Sequence, residues 1–335
     1  MKANTETKDL ERRVGELARR VGLCLDALGV SFLGQRENLV EPLFFSILAR
    51  RHVLLEGLPG LGKTFLVKAV AASLGCRFSR IQCTPDLMPA DVTGTEILED
   101  RPDGGTGFHF REGPVFANLV LADELNRATP KTQSALLEAM EEGQVTSFGR
   151  TRELPQPFSL VGTQNPVEME GTYPLPEAQL DRFALCLEVP YPEDEVLGAL
   201  VVGPPKRELP EAVLDPKTVL ECARLSQEVL VADELARYVA ALCSLTQSRE
   251  GLDGGPVIRL GASPRAGISI LALARVAALV NGRYHVSRED VDRFVLPALR
   301  HRVLLGFEAR ARGITVKDLL PRLREQAWAK ACKGR

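Results

Sequence analysis

Two short stretches of the sequence carry residue types that suit the handling of phosphate. Gly57-Leu58-Pro59-Gly60-Leu61-Gly62-Lys63-Thr64 matches G-x-x-x-x-G-K-[ST], and it lies between an apolar run, HVLLE, and a segment of helical pattern, TFLVKAVAASL. Glycines let the backbone curl until consecutive N–H groups point at one phosphate, and a following helix offers the positive end of its dipole to the same charge. In such a loop Lys63 reaches the β- and γ-phosphates and the Thr64 hydroxyl ligates Mg²⁺. The loop and Phe65 after it are read as a nucleotide-binding segment, with ATP and Mg²⁺ as cofactors. The second stretch, Asn118-Leu119-Val120-Leu121-Ala122-Asp123-Glu124, is an apolar run ending in two adjacent carboxylates. Strand ends on the carboxyl edge of a parallel sheet are where ligands bind. There Asp123 holds the water shell of Mg²⁺, and Glu124 polarises an attacking water as general base. Such a run is a weak signal alone; its place downstream of the phosphate loop gives it weight.

Residues so far apart need a scaffold to bring them together. Short apolar runs at residues 52–56, 78–83, 119–122, 158–162 and 183–189 read as strands buried on both faces, and the segments between them are long enough for helices. The spacing predicts an α/β domain with a doubly wound parallel five-stranded sheet. Two crossovers exceed what a helix needs, and residues 91–114 and 144–154 are predicted to form β-hairpin inserts. Upstream, Leu10, Val14, Leu17, Val21, Leu25 and Leu28 step by three or four, the stripe of an amphipathic helix over 8–30. A second helix is predicted over 37–50, after a turn at Gly34-Gln35. Beyond PYPEDE the pattern is helical at 219–229, 232–246, 264–280, 289–301 and 316–328. The expected organisation is N-terminal helices (1–50), the α/β core (51–192), a linker (193–215) and a smaller all-helical lid (216–335).

Together these features resemble the AAA+ superfamily. LADELNRATPKTQSALLEAMEEGQVT (residues 121–146), VGTQNP (161–166) and LPEAQLDRF (175–183) resemble the MoxR family, in the clade that carries a hairpin before its sensor strand. The motifs arrive in order and the match covers nearly the whole chain. The resemblance implies a ring, expected to be hexameric, that hydrolyses ATP and remodels or matures protein clients, often partners with a von Willebrand factor A domain. It also assigns roles. Asn165 resembles sensor 1, which orients the lytic water or touches the γ-phosphate; its bland alternative is a cap on the turn before Pro166. Arg182 resembles the arginine finger that a neighbouring subunit inserts, against the alternative of an ion pair with Asp181 or another acid. Arg265 resembles sensor 2, expected to touch the γ-phosphate as the lid folds over the nucleotide. Ser263 suits a helix cap and Pro264 the first helical position, so Arg265 falls in the first turn, where a cation opposes the helix dipole. Gly34 and Gln35 resemble the segment near adenine, and Asn126 and Arg127 also match the family pattern, Arg127 for a subunit interface or an ion pair. The hairpins are expected to face a central channel, with Phe108, His109, Phe110 and Phe148 either touching a client or packing the hairpins.

Composition narrows the alternatives. The 335 residues include 45% hydrophobic and 26% charged ones, the balance of folded globular domains. No apolar stretch approaches the roughly 18 residues of a membrane-spanning helix, and the polar start MKANTETKDLERR predicts a cytoplasmic location. A formal charge of −2 argues against a globally basic nucleic-acid binder. The competing readings are a nucleic-acid translocating motor that uses Arg150-Thr151-Arg152, an ATP-gated assembly module with little turnover, and a chelatase-type motor subunit. The seven cysteines lack C-x-x-C spacing and read as small buried hydrophobes, and the four histidines are too dispersed to suggest a metal site.

Overall fold

The computed structural model describes residues 2–32, 35–100, 106–165, 171–194, 197–198, 202, 208–247 and 257–333. At its centre β1 (Val53–Glu56), β2 (Phe78–Gln82), β5 (Leu119–Asp123), β8 (Ser159–Gln164) and β9 (Leu185–Glu188) form one parallel sheet in the order β2-β5-β8-β1-β9. Side chains alternate across it. Val53, Leu55, Leu119, Leu121, Val161, Leu185 and Leu187 join a large hydrophobic cluster on one face, and Leu54, Val120, Ala122, Leu160 and Cys186 a second cluster on the other. Covering both faces is why these strands read as continuous apolar runs.

The N-terminal helix α1 (Lys2–Ser31) buries Val14, Leu17, Val21, Cys24, Leu25 and Leu28. The Leu10 side chain and Gly34 lie outside the described residues. The second expected helix begins as a π-helical turn, Arg36–Val40, in which the Gln35 carbonyl accepts from both Leu39 and Val40 N–H, and continues as α2 (Glu41–Leu48). The core helices are α3 (Lys63–Ser73), α4 (Pro89–Thr93), α5 (Pro130–Glu142) and α6 (Glu177–Leu180).

The lid holds α7 (Pro216–Glu228), α8 (Asp233–Thr246), α9 (Pro264–Val280), α10 (Arg288–Leu299), α11 (Phe307–Ala311) and α12 (Val316–Cys332). Several of its helices start where side chains cap them. Asp215 accepts from Thr218 N–H, Ser263 from Arg265 N–H, and Ser287 and Asp290 form a reciprocal capping box. The lid also contains a short antiparallel ribbon, β10 (Ile258–Leu260) with β11 (Leu304–Leu305), too brief to leave a periodic signal in the sequence. Lid, α1 and one sheet face share the large hydrophobic cluster.

Both hairpins form. β3 (Gly94–Asp100) pairs with β4 (Thr106–Glu112), and β6 (Gln144–Ser147) with β7 (Arg150–Glu153). Phe108 and Phe148 are exposed, whereas Phe110 packs edge-on against Phe116 and lies beneath Arg152 at 3.6 Å, so Phe110 is hairpin packing. The two-residue loop of the second hairpin places Phe148 at φ 51° and Gly149 at φ 72°, a primed turn that favours Asn-Gly. A bulky residue held left-handed costs about 1 kcal/mol. Phe148→Asn should therefore raise the unfolding free energy by about that amount in urea titrations; a loss of stability would show that the phenyl ring contributes packing that outweighs the strain.

Six cysteines are buried or half-buried, and burial pushes the thiols of Cys83 and Cys222 up to about 12. Cys332 is exposed, at odds with its reading as a buried hydrophobe. None of the described helices is long and apolar enough to cross a membrane.

Candidate functional site

The phosphate loop leaves the carboxyl end of β1 and turns into α3. Gly60 and Gly62 both sit at positive φ, near 80°, which a side chain would strain. This curl lets Lys63 Nζ donate back to the carbonyls of Gly57 and Leu58, at 2.6 and 3.0 Å. Burial lowers the Lys63 pKa, while the charges of Asp123 and Glu124 oppose that shift. Phe65 stacks obliquely on Phe32 at 5.8 Å, tying the helix after the loop to the end of α1 just before Gln35.

On the neighbouring strands the acids arrive at the same edge. Asp123 Oδ1 accepts from Thr163 Oγ1 at 2.6 Å, and Oδ2 from Thr64 Oγ1 at 3.3 Å and from the Arg80 guanidinium at 2.6 Å. Thr163 Oγ1 also accepts from Glu124 N–H at 2.8 Å, so one hydroxyl spaces both carboxylate residues. Glu124 itself is left-handed, at φ 57°, a conformation that costs energy and often marks functional turns. Its carboxylate pairs with Arg127 at 3.1 Å. Asn126 offers its carbonyl to Tyr173 N–H. Asn165 follows directly after β8, whose last residue, Gln164, accepts from Gly57 N–H; Pro166 lies outside the described residues. Thr64 and Asp123 thus set two hard oxygen donors face to face, a pair that fits Mg²⁺ with its water shell. Bound there, the ion would supply charge neutralisation next to the phosphates.

The arginines lie elsewhere. Arg182 precedes β9, as Arg51 precedes β1 and Phe158 precedes β8, so all three stand at the amino edge of the sheet. They line one cleft of about 590 Å³ together with Glu141 and Arg265. Arg182 donates to Glu141 Oε2 at 2.8 Å and to the Leu137 carbonyl at 3.3 Å, and its Nε is buried without a hydrogen-bond partner. Arg265 donates to the other oxygen of Glu141 at 2.6 Å and lies 3.8 Å from Asp181. About 15 Å of strand separates this edge from the one that carries Lys63 and Asp123. In this structure the lid brings Arg265 to Glu141 and Arg182.

Comparison with known proteins identifies the chain's relatives. The pattern of the ATPase family associated with various cellular activities (AAA) matches residues 52–185, and that of the AAA lid domain matches residues 255–323. The chain is 41% identical to the Bacillus subtilis protein YeaC over 90% of its own length and 92% of that protein's. It is similar in structure to a Cytophaga hutchinsonii protein, with TM-score 0.85, 36% identity and coverage of 97% and 98%. It is also 40% identical to the Mycobacterium tuberculosis protein named chaperone MoxR1, over 95% of this chain and 81% of that one. The chain belongs to the MoxR family of AAA ATPases.

As a MoxR-family member it is a nucleotide-binding ATP hydrolase, and its carboxyl-edge cluster has the groups that such chemistry requires. The MoxR motif LDRF owes its fixed shape to a residue that sequence reasoning passed over. Arg302, at the end of the lid helix α10 and almost fully buried, donates to the Asp181 carboxylate at 2.8 Å and to the carbonyls of Asp181, Phe183, Ala184 and Ala298. Asp181 also accepts from Ser263 Oγ at 2.7 Å. His301 beside it donates from Nε2 to the Phe183 carbonyl, and His52 Nδ1 accepts from Leu160 N–H; burial pushes both imidazoles down to about 3, so they stay neutral at physiological pH. Arg80, Thr163, Glu141 and Arg302 were all missed because each meets its partner across a long sequence gap.

Proposed function

We propose that the chain is a Mg-dependent ATPase that works in a closed ring of copies, a hexamer by resemblance, and couples turnover to chaperone-like remodelling of protein partners. One observation carries this reading: Arg182 and Arg265 converge on a single carboxylate at the sheet edge opposite Lys63, Asp123 and Glu124. Two arginines so placed are of no use to the chain's own nucleotide and suit that of an adjacent copy, where a fixed guanidinium neutralises charge growing on the γ-phosphate. Within each chain Lys63 and Thr64 bind phosphate and metal, Asp123 holds the metal's waters, Asn165 orients the lytic water and Glu124 Oε takes its proton. The left-handed turn at Glu124 and the Thr163 bond support that assignment. A nucleic-acid motor is disfavoured by the formal charge of −2 and by Arg152, which is engaged with Phe110 and with Glu96 at 3.9 Å.

The Glu124→Gln chain tests the reading. It keeps the shape of the base and loses its basicity, so with ATP it should sediment as a ring, retain nucleotide and turn over at least about 10²-fold more slowly than wild type. Used as an affinity trap with ATP, it should retain protein partners, with von Willebrand factor A proteins the first to look for, in a nuclease-resistant manner. Wild-type turnover, or a sedimentation coefficient unchanged by ATP and equal to the monomer's, would remove the basis for the proposal.

A further inference from the structure

The two arginines do not find each other by chance, and the group that joins them is Glu141. It stands in the last turn of α5, the helix that begins six residues after Glu124. That helix is pinned at its start: Thr129 caps it, Thr132 Oγ1 donates to the Leu87 carbonyl at 2.6 Å, and the buried Gln133 amide donates to the carbonyls of Leu125 and Tyr173. A 13-residue helix is about 20 Å long. It therefore forms a stiff strut from the exit of the catalytic strand β5 to the amino edge of the sheet. At its far end each oxygen of Glu141 takes one arginine, Oε2 from Arg182 and Oε1 from Arg265. The negative end of the helix dipole favours the same two cations, and Arg182 also reaches the Leu137 carbonyl in that region. Asp181, which also lines the cleft, is occupied by Arg302 and Ser263 and lies farther from Arg265. Without Glu141 two like charges on separate elements, one before β9 and one in the first turn of α9, would push apart.

We propose that Glu141 is a positioning residue: it holds Arg182 and Arg265 side by side so that both meet the nucleotide of the adjacent copy. This rests on the reading of both arginines as acting in trans. Glu141 does not touch the nucleotide in its own chain; it acts through the arginines, and α5 links it mechanically to the base Glu124.

The test is a double-mutant cycle in assembled rings, with ring formation checked by sedimentation for every variant. Glu141→Gln is expected to lower kcat about tenfold or more, since small misplacements of a catalytic group cost that much, while KM for ATP stays within about twofold because Lys63 and Thr64 are untouched. In the background lacking both arginines, Arg182→Ala with Arg265→Ala, Glu141→Gln should lower kcat by less than twofold further, because both groups it positions are gone. A kcat that is unchanged or raised in Glu141→Gln overturns the proposal and leaves the trans arginines standing. An undiminished further loss in the background lacking both arginines also overturns it, since Glu141 would then act elsewhere. Full activity in Arg182→Ala itself would instead sink the trans reading beneath it.

Discussion

Rings assembled only from Arg182→Ala subunits should bind ATP and hydrolyse it about 10³-fold more slowly than wild type, the effect expected of losing a trans arginine. Binding survives because Lys63, Thr64 and Asp123 lie on the opposite edge of the sheet and are not touched. Mixing these subunits with Glu124→Gln subunits, each form inactive alone, should restore part of the turnover. Some interfaces then join an intact Glu124 to an intact Arg182. Single-turnover rates across a titration of the two forms should peak near equal proportions and vanish at either end. A flat titration in demonstrably mixed rings would show that Arg182 serves its own chain or serves no catalytic purpose.

The largest stability effect is expected at Asp181. Its carboxylate is the only negative charge hydrogen-bonded to Arg302 among the described residues, and the Arg302 side chain is 2% exposed. Removing one partner of a buried ion pair strands the other and costs about 3–5 kcal/mol. Asp181→Ala should lower Tm by roughly 4–7 °C and loosen the LDRF segment. Asp181→Asn retains an acceptor and should lose less. Replacing both partners together, Asp181→Leu with Arg302→Met, should recover much of the loss, because no stranded charge remains. Calorimetry decides it: an Asp181→Ala midpoint within 2 °C of wild type would show that the four carbonyls alone satisfy Arg302.

What could be read from sequence was what neighbouring residues determine together. The five apolar runs became five strands, because each must be covered on both faces, and the loop before Lys63 was legible because its glycines and its flanking elements form one local unit. Ser263 and Pro264 foretold the start of α9 and with it the first-turn place of Arg265. What Arg265 faces was not legible. Its direction depends on how the lid seats on the core, which Arg302 fixes through bonds to residues more than a hundred positions away. The same holds for Arg80 on Asp123 and for Glu141, one of two adjacent glutamates that look alike until α5 points one of them at two arginines. The short ribbon β10–β11 left no trace for a different reason: two or three residues per strand are too few for alternation to register.

If the arginines serve an adjacent copy, as proposed, the placement of acids and phosphate loop on one edge of the sheet, and of arginines on the other, restricts the symmetry of any active assembly. An isologous pair, with a two-fold axis between copies, brings like edges together and completes neither site. Only heterologous contact, in which one copy's amino edge meets the next copy's carboxyl edge, joins a donor to an acceptor. Such contacts have a direction and repeat: they either close through a rotation or continue as an open filament, whose terminal copy always has an unfinished site. Closure is thus the arrangement in which no catalytic site is wasted. In a closed assembly, loss of the base or of the arginine from one copy silences one site, and loss of both silences two, its own and that of the neighbour it serves.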